Sequence, residues 1–125
     1  MIPPLPFVAN RVDRRSVEEQ LNDMTHAYLG AARWTEELTG EWAPEARELA
    51  RFECAAFLHL ARWNIQSWTV EQLGHDFWLT RNGHGTGFWD RDFGTELARE
   101  VLTDLAHSFG EADASVGDDG LIRFS

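Results

Sequence analysis

The sequence predicts an α+β fold: one two-layer domain in which helices pack on a small antiparallel sheet made of two β-hairpins. Three observations predict it. Apolar residues recur at helical spacing in three stretches of the chain. Aromatic and β-prone residues flank glycine-rich reversals in two others. Two hairpins supply only about four short strands, too few to bury themselves without a helical layer on one face. The length of 125 residues fits a single domain with one core, and a hydrophobic share of 43% fits a folded chain.

Residues 1–15 read as an extended arm because of Pro3, Pro4 and Pro6, and residues 16–125 as the domain. The arm lacks the basic leader and apolar run of a secretion signal. Ser16-Val17-Glu18-Glu19 is a capping box. From it Val17, Leu21, Met24, Tyr28, Ala31 and Leu38 recur at helical spacing, which predicts a helix over 17–38 stopped by Gly40. Pro44 suits the first turn of a second helix, over 44–64. Its predicted apolar face is Leu49, Phe52, Ala56, Phe57, Leu60 and Trp63, with Glu53 as a misfit in the middle. Thr69-Val70-Glu71-Gln72 repeats the capping signature, but Gly74 follows quickly, so a single helical turn is expected there.

That turn delivers the chain into the densest stretch of the sequence, residues 74–92. Phe77, Trp78 and Leu79 on one side and Phe88 and Trp89 on the other suit strands, and Asn82-Gly83 suits a tight reversal. The reading is a hairpin with strands over 75–81 and 87–90. A third helix follows, with the stripe Leu97, Ala98, Val101, Leu102, Leu105, Ala106 and Phe109 ended by Gly110. A second hairpin closes the chain, with arms over 112–116 and 121–124 around Gly117-Asp118-Asp119-Gly120.

Composition narrows function. Twenty-one acids face eleven bases, all of them arginine, for a net charge of −10. Such a field repels phosphates and argues against direct nucleic-acid binding. No apolar run is long enough to span a membrane. Cys54, the single cysteine, rules out an internal disulfide and fits a reducing cytoplasm. His75, Asp76, His84, Asp90 and Asp92 are metal-ligand types close in sequence, but no spacing among them matches a zinc or EF-hand pattern, so no metal and no cofactor is expected. The Gly83–Gly87 loop precedes a strand rather than a helix, so it lacks the dipole of a phosphate cradle. Glu53 among apolar neighbours has the setting of a general acid, but a carboxylate paired with Arg81 or Arg123 is the expectation, because buried charges are paired. No catalytic residue is assigned. The six tryptophans are expected in the core.

The acidic surface carries the functional expectation. Glu18, Glu19, Asp23, Glu36, Glu37 and Glu41 cluster on and after the first helix, and Asp113, Asp118 and Asp119 on the last hairpin. These nine form the expected partner-binding set, because a field of one sign steers a protein towards a basic surface.

Residues 74–124 resemble the C-terminal half of small acidic proteins of bacteriophages and prophages. The resemblance rests on His75-Asp76-Phe77-Trp78-Leu79-Thr80-Arg81-Asn82-Gly83-His84-Gly85, on Gly87-Phe88-Trp89-Asp90-Arg91 and on Val116-Gly117-Asp118-Asp119-Gly120. It implies a phage accessory protein, and by analogy an acidic inhibitor of a host nucleic-acid-binding defence protein in the bacterial cytoplasm. Anti-CRISPR and anti-restriction proteins that mimic DNA with carboxylates are the type. The alternative is a small hydrolase or metal-dependent enzyme with its site on residues 75–92.

Overall fold

Four α-helices, one 3-10 turn and a two-stranded sheet make up the computed structural model, which describes residues 13–125. Most of the expected arm over 1–15 therefore lies outside the described residues. Its end is tied down: Arg15 pairs with Asp23 at 2.8 Å and also with Asp13 and Glu71. Helix α1 (Val17–Thr35) starts at the expected capping box, where the Glu19 amide donates to Ser16 Oγ at 3.1 Å and the Ser16 amide to Glu19 Oε1 at 3.2 Å. It ends at Thr35, because the chain reverses at Glu37 rather than at Gly40. Helix α2 (Pro44–Ala61) has Pro44 in its first turn as expected and stops short of residue 64.

The first hairpin is not there. Its expected first strand is part of helix α3 (Val70–Arg81), and its second is a single 3-10 turn, Phe88–Asp90. The Thr69 capping box opens a full helix: the Gln72 amide donates to Thr69 Oγ1 at 3.1 Å and the Thr69 amide to Gln72 Oε1 at 2.9 Å. Every residue from Asp76 to Arg81 is buried, so the second half of α3 has no polar stripe and its sequence shows no helical period there. Asn82-Gly83 does supply the left-handed residue it promised, but at a helix end. Gly83 has φ +68°, its amide donates to Thr80 O, and the His84 amide donates to Leu79 O at 3.0 Å, the Schellman arrangement.

Helix α4 (Glu96–Ser108) is capped by Thr95 and buries Ala98, Leu102 and Ala106, while Leu97 points to solvent. The second hairpin forms as expected, with strands β1 (Ala114–Val116) and β2 (Ile122–Phe124) paired antiparallel and Ser115 opposite Arg123. Residues 41–43 add to its edge: the Ile122 amide donates to Glu41 O at 2.8 Å and the Ala43 amide to Ile122 O at 2.9 Å. The α+β class thus stands, with four helices against one two-stranded sheet.

Helix α3 packs most extensively on α1 and also against α4. Phe77 stacks on Phe57 of α2 at 4.4 Å, and Trp78 meets Tyr28 of α1 edge-on at 5.4 Å. Trp42 stacks on Phe124 at 4.9 Å and ties the sheet to this core. The expected core face of α2 needs correction. Ala46, Ala50, Cys54, Phe57, Leu58 and Ala61 are buried, whereas Leu49, Phe52, Leu60 and Trp63 are exposed. The helix is apolar on two sides, and periodicity alone does not say which side the fold covers. Of the tryptophans, Trp42, Trp68 and Trp78 are core; Trp34, Trp63 and Trp89 are not.

Gly74 sets the α1–α3 distance. A Cβ there would lie 2.2 Å from Met24 O and 3.0 Å from the Tyr28 amide nitrogen. Both are backbone atoms, so the helices would have to part. Gly74→Ala is expected to cost about 1–3 kcal/mol in urea melts, the usual penalty of overpacking, despite the better helix propensity of alanine. A stability gain would show that the two helices are not held in this close contact.

Candidate functional site

The motif over residues 74–92 is occupied mostly with holding the fold. Asp76 is fully buried; its Oδ2 accepts from Arg91 Nε at 2.9 Å and from Trp68 Nε1 at 3.2 Å, and Arg91 Nη2 donates to its Oδ1. Trp78 Nε1 donates to Thr35 Oγ1 at 2.8 Å. Thr80 Oγ1 accepts from the Phe88 amide at 3.1 Å, and Asn82 Oδ1 from the Ala112 amide at 2.8 Å. Asp90 Oδ1 accepts from the Gly87 amide at 2.9 Å and from Thr86 Oγ1 at 3.1 Å, and that amide bond holds its carboxyl below the usual range.

Arg81 is the hub of this network. Its Nη1 donates to Tyr28 Oη at 2.8 Å and to Glu53 Oε1 at 3.0 Å; Nε and Nη2 donate to the carbonyls of Gly110 and Phe109 at 2.8 and 3.0 Å. Those two carbonyls close the end of α4. Burial opposes the charge on Arg81, but Tyr28 and Glu53 offset it and leave its pKa raised. Burial likewise pushes the Tyr28 hydroxyl up. Glu53 is therefore paired with arginine, as expected, and is half-buried with its side chain 22% exposed. Cys54 is fully buried, and burial pushes its thiol up, away from the nucleophilic thiolate.

The metal-ligand types scatter. Among the described residues no three His, Cys, Asp or Glu side chains group closely enough to hold an ion. His75 and Asp76 instead line a groove of about 490 Å³ between α1 and α3, together with His26, Gly30, Trp34, Glu71, Arg91 and Phe93. His84 lies elsewhere, in a hollow shared with Trp34, Thr35 and Glu37. Trp34, 72% exposed, forms the ridge between the two.

Eight of the nine expected partner-binding carboxylates divide into two groups, at the two ends of α1 and roughly 25 Å apart by the usual helical rise. At its start Glu18 pairs with Arg51 at 2.7 Å, Asp23 pairs with Arg15, and Glu19 closes the capping box. These charges are largely spent. At its end Glu36, Glu37 and Glu41 are exposed, and the bridging of residues 41–43 to β2 brings the Asp118-Asp119 turn beside them. A Cβ on Gly40 would lie 2.8 Å from Gly120 O, which shows how closely the two loops meet. Asp119 is neutralised by Arg123 at 2.8 Å, which holds its carboxyl down at about 2. Asp113 lies at the hairpin's open end, where its carbonyl accepts from the Ser125 amide at 3.0 Å. Glu36, Glu37, Glu41 and Asp118 are exposed and make no ion pair among the described residues, and the guanidinium of Arg33 donates to Gly40 O in their midst.

Glu37 has φ +53°, the only non-glycine residue in the left-handed region among the described residues. It sits where a helix end ordinarily takes glycine: its amide donates to Trp34 O at 3.2 Å and the Leu38 amide to Arg33 O at 2.9 Å. Sequence reasoning missed two members of this end, Trp34 and His84. Trp34 had a signal, since it lies off the Met24–Tyr28–Ala31 stripe of its helix. Comparison with family models, with curated proteins and with solved structures returned no match.

Removing Arg81 would leave Tyr28, Glu53 and two carbonyls without their donor. Arg81→Ala is expected to cost about 3–5 kcal/mol in urea melts, and Glu53→Leu about 1 kcal/mol or more beyond Glu53→Gln, which can still accept from Arg81. A leucine variant more stable than the glutamine variant would show that the pair contributes nothing. The Cys54 thiol is expected to resist a thiol-labelling disulfide reagent in the native protein at pH 8 and to react fully in urea; fast native labelling would contradict its burial.

Proposed function

We propose that the protein is a non-enzymatic binding protein that docks on a basic, nucleic-acid-binding surface of a host protein. Trp34 is the aromatic anchor, and Glu36, Glu37, Glu41 and Asp118 stand in for phosphates. This is the acidic end of the phage accessory type that the motif resembles, acting in the bacterial cytoplasm as an anti-CRISPR or anti-restriction protein would. Tryptophan is among the residues enriched in binding hot spots, and the net charge of −10 adds long-range steering.

The observation that carries the reading is the backbone of Glu37. A left-handed glutamate costs about 1–2 kcal/mol over a relaxed conformation, and glycine would relieve it. Strain of this kind gathers at functional sites. Glu37 makes no ion pair among the described residues; the nearest arginine in its helix turn, Arg33, donates instead to Gly40 O.

A second reading has one observation in its favour. The groove beside Trp34 holds two imidazoles, His26 and His75, near the Arg91–Asp76 pair, a setting that a small-molecule enzyme could use. It predicts loss of function from His26→Ala or His75→Ala and none from changes at the acidic end.

Binding to a nucleic-acid-binding partner captured from bacterial lysate should weaken steeply with salt. Glu36, Glu37 and Glu41 changed together to Gln should abolish capture without altering the melt. Glu37→Gly should go two ways at once, with stability up by about 0.5–1 kcal/mol and partner affinity down. Capture that is indifferent to salt and survives the triple change would rule this function out.

A further inference from the structure

The geometry points to a homodimer formed by α2 against α2 of a second copy, antiparallel about a two-fold axis at Ala56. The starting point is the outer side of α2. Phe52 is 71% exposed, Trp63 54%, Leu60 53% and Leu49 45%. Together with half-buried Ala56 they form one continuous apolar stripe at helical spacing. No described element covers it, because α2 meets the core with its other side.

The stripe has internal symmetry. Leu49 and Phe52 precede Ala56 by seven and four residues; Leu60 and Trp63 follow it by four and seven. In an antiparallel pair related by a two-fold axis, a residue so many places before the axis faces the residue equally far after it on the other copy. Phe52 therefore meets Leu60 of the second copy, and Leu49 meets Trp63, each contact occurring twice. Ala56 meets its own copy. The smallest side chain of the stripe falls where the helices come closest, and the large ones fall where the gap opens.

Charge supplies an independent argument for a second copy over any other occupant. A two-fold axis keeps each edge of the stripe on the same edge of the pair. Glu48 lies eight residues before Ala56 and Arg62 six after it, and both fall on one edge of the stripe. In the dimer Glu48 of each copy comes beside Arg62 of the other, giving two ion pairs in the manner of flanking charges in a coiled coil. Neither residue has an ion-pair partner among the described residues of its own chain. Arg62 lies over the Trp63 ring at 5.2 Å, already on the stripe. The face is distinct from the acidic end of α1, so it neither needs nor excludes that function.

The test is sedimentation equilibrium of the full chain across the micromolar range. The wild type is expected to show a monomer–dimer equilibrium. Phe52→Glu should weaken it by about a hundredfold or more, as loss of a buried aromatic anchor does, with an unchanged melt at concentrations where both proteins are monomeric, because Phe52 is exposed in the monomer. Glu48→Arg should weaken it by about tenfold by setting arginine against arginine. Glu48→Arg with Arg62→Glu in the same chain should restore it, since the pairs are then reversed. A wild type that stays monomeric throughout overturns the proposal. So does a dimer indifferent to Phe52→Glu, or a double reversal that fails to recover what the single one lost.

Discussion

The structure depends on running a charged helix through its own core. Helix α3 is buried from Asp76 to Arg81, and both of those end residues carry charge. Burying either alone would cost several kcal/mol, so each must be met by partners of fixed geometry. Arg91 and Trp68 meet Asp76; Tyr28, Glu53 and two carbonyls at the end of α4 meet Arg81. These partners come from α1, α2, the segment after α2, the 3-10 turn region and α4. Neutralising two charges therefore fixes the position of nearly every element around α3, and the 3-10 turn and the loop from residue 82 exist to return Arg91 to Asp76.

That constraint also explains what was legible in the sequence. Chain-local signals carried through: the two capping boxes, Pro44 in a first turn, glycine or asparagine-glycine at helix ends, and the final hairpin. Each acts over a few residues and needs no knowledge of the fold. The second half of helix α3 was illegible because amphipathic periodicity is a boundary signal, and a stretch of helix buried on all sides has no boundary. His75 to Arg81 then reads as a strand on aromatic content alone. Gly74 misleads for a related reason, since it serves a helix crossing that only the tertiary structure contains. On α2 the period was right and the side was wrong, because the helix has two apolar sides and nothing local says which one the fold takes.

The candidate site was half legible. Counting carboxylates found Glu36, Glu37, Glu41 and Asp118, but it weighed Glu18, Glu19 and Asp23 equally with them. The difference lies in partners far away in sequence. Arg51 and Arg15 silence the charges at the start of α1, and no arginine pairs with those at its end. The loops that unite residues 36–41 with the Asp118 turn meet through backbone hydrogen bonds of residues 41–43 to β2, which side-chain patterns do not announce.

Where local rules are kept and where they are broken separates the scaffold from the proposed binding residues in this chain. The motif over 74–92 is the richest stretch in residue types usually associated with chemistry, yet Asp76, Trp78, Thr80, Arg81, Asn82, Asp90 and Arg91 each have a hydrogen-bonding duty inside the fold. Such consistency marks a segment that specifies structure. The departures lie mostly outside it: a glutamate where a helix end favours glycine, a tryptophan standing clear of the core at the same end, and a second apolar face on α2 left to solvent. Each costs the isolated monomer something and gains nothing within it. Unless those costs are repaid by contacts beyond the chain, the sequence would be expected to have lost them, because glycine at residue 37 and polar residues along the outer side of α2 are accessible alternatives that the fold would tolerate. The stretch that most defines this sequence is thus the frame, and the residues proposed to meet partners are ones at which the frame is locally disobeyed.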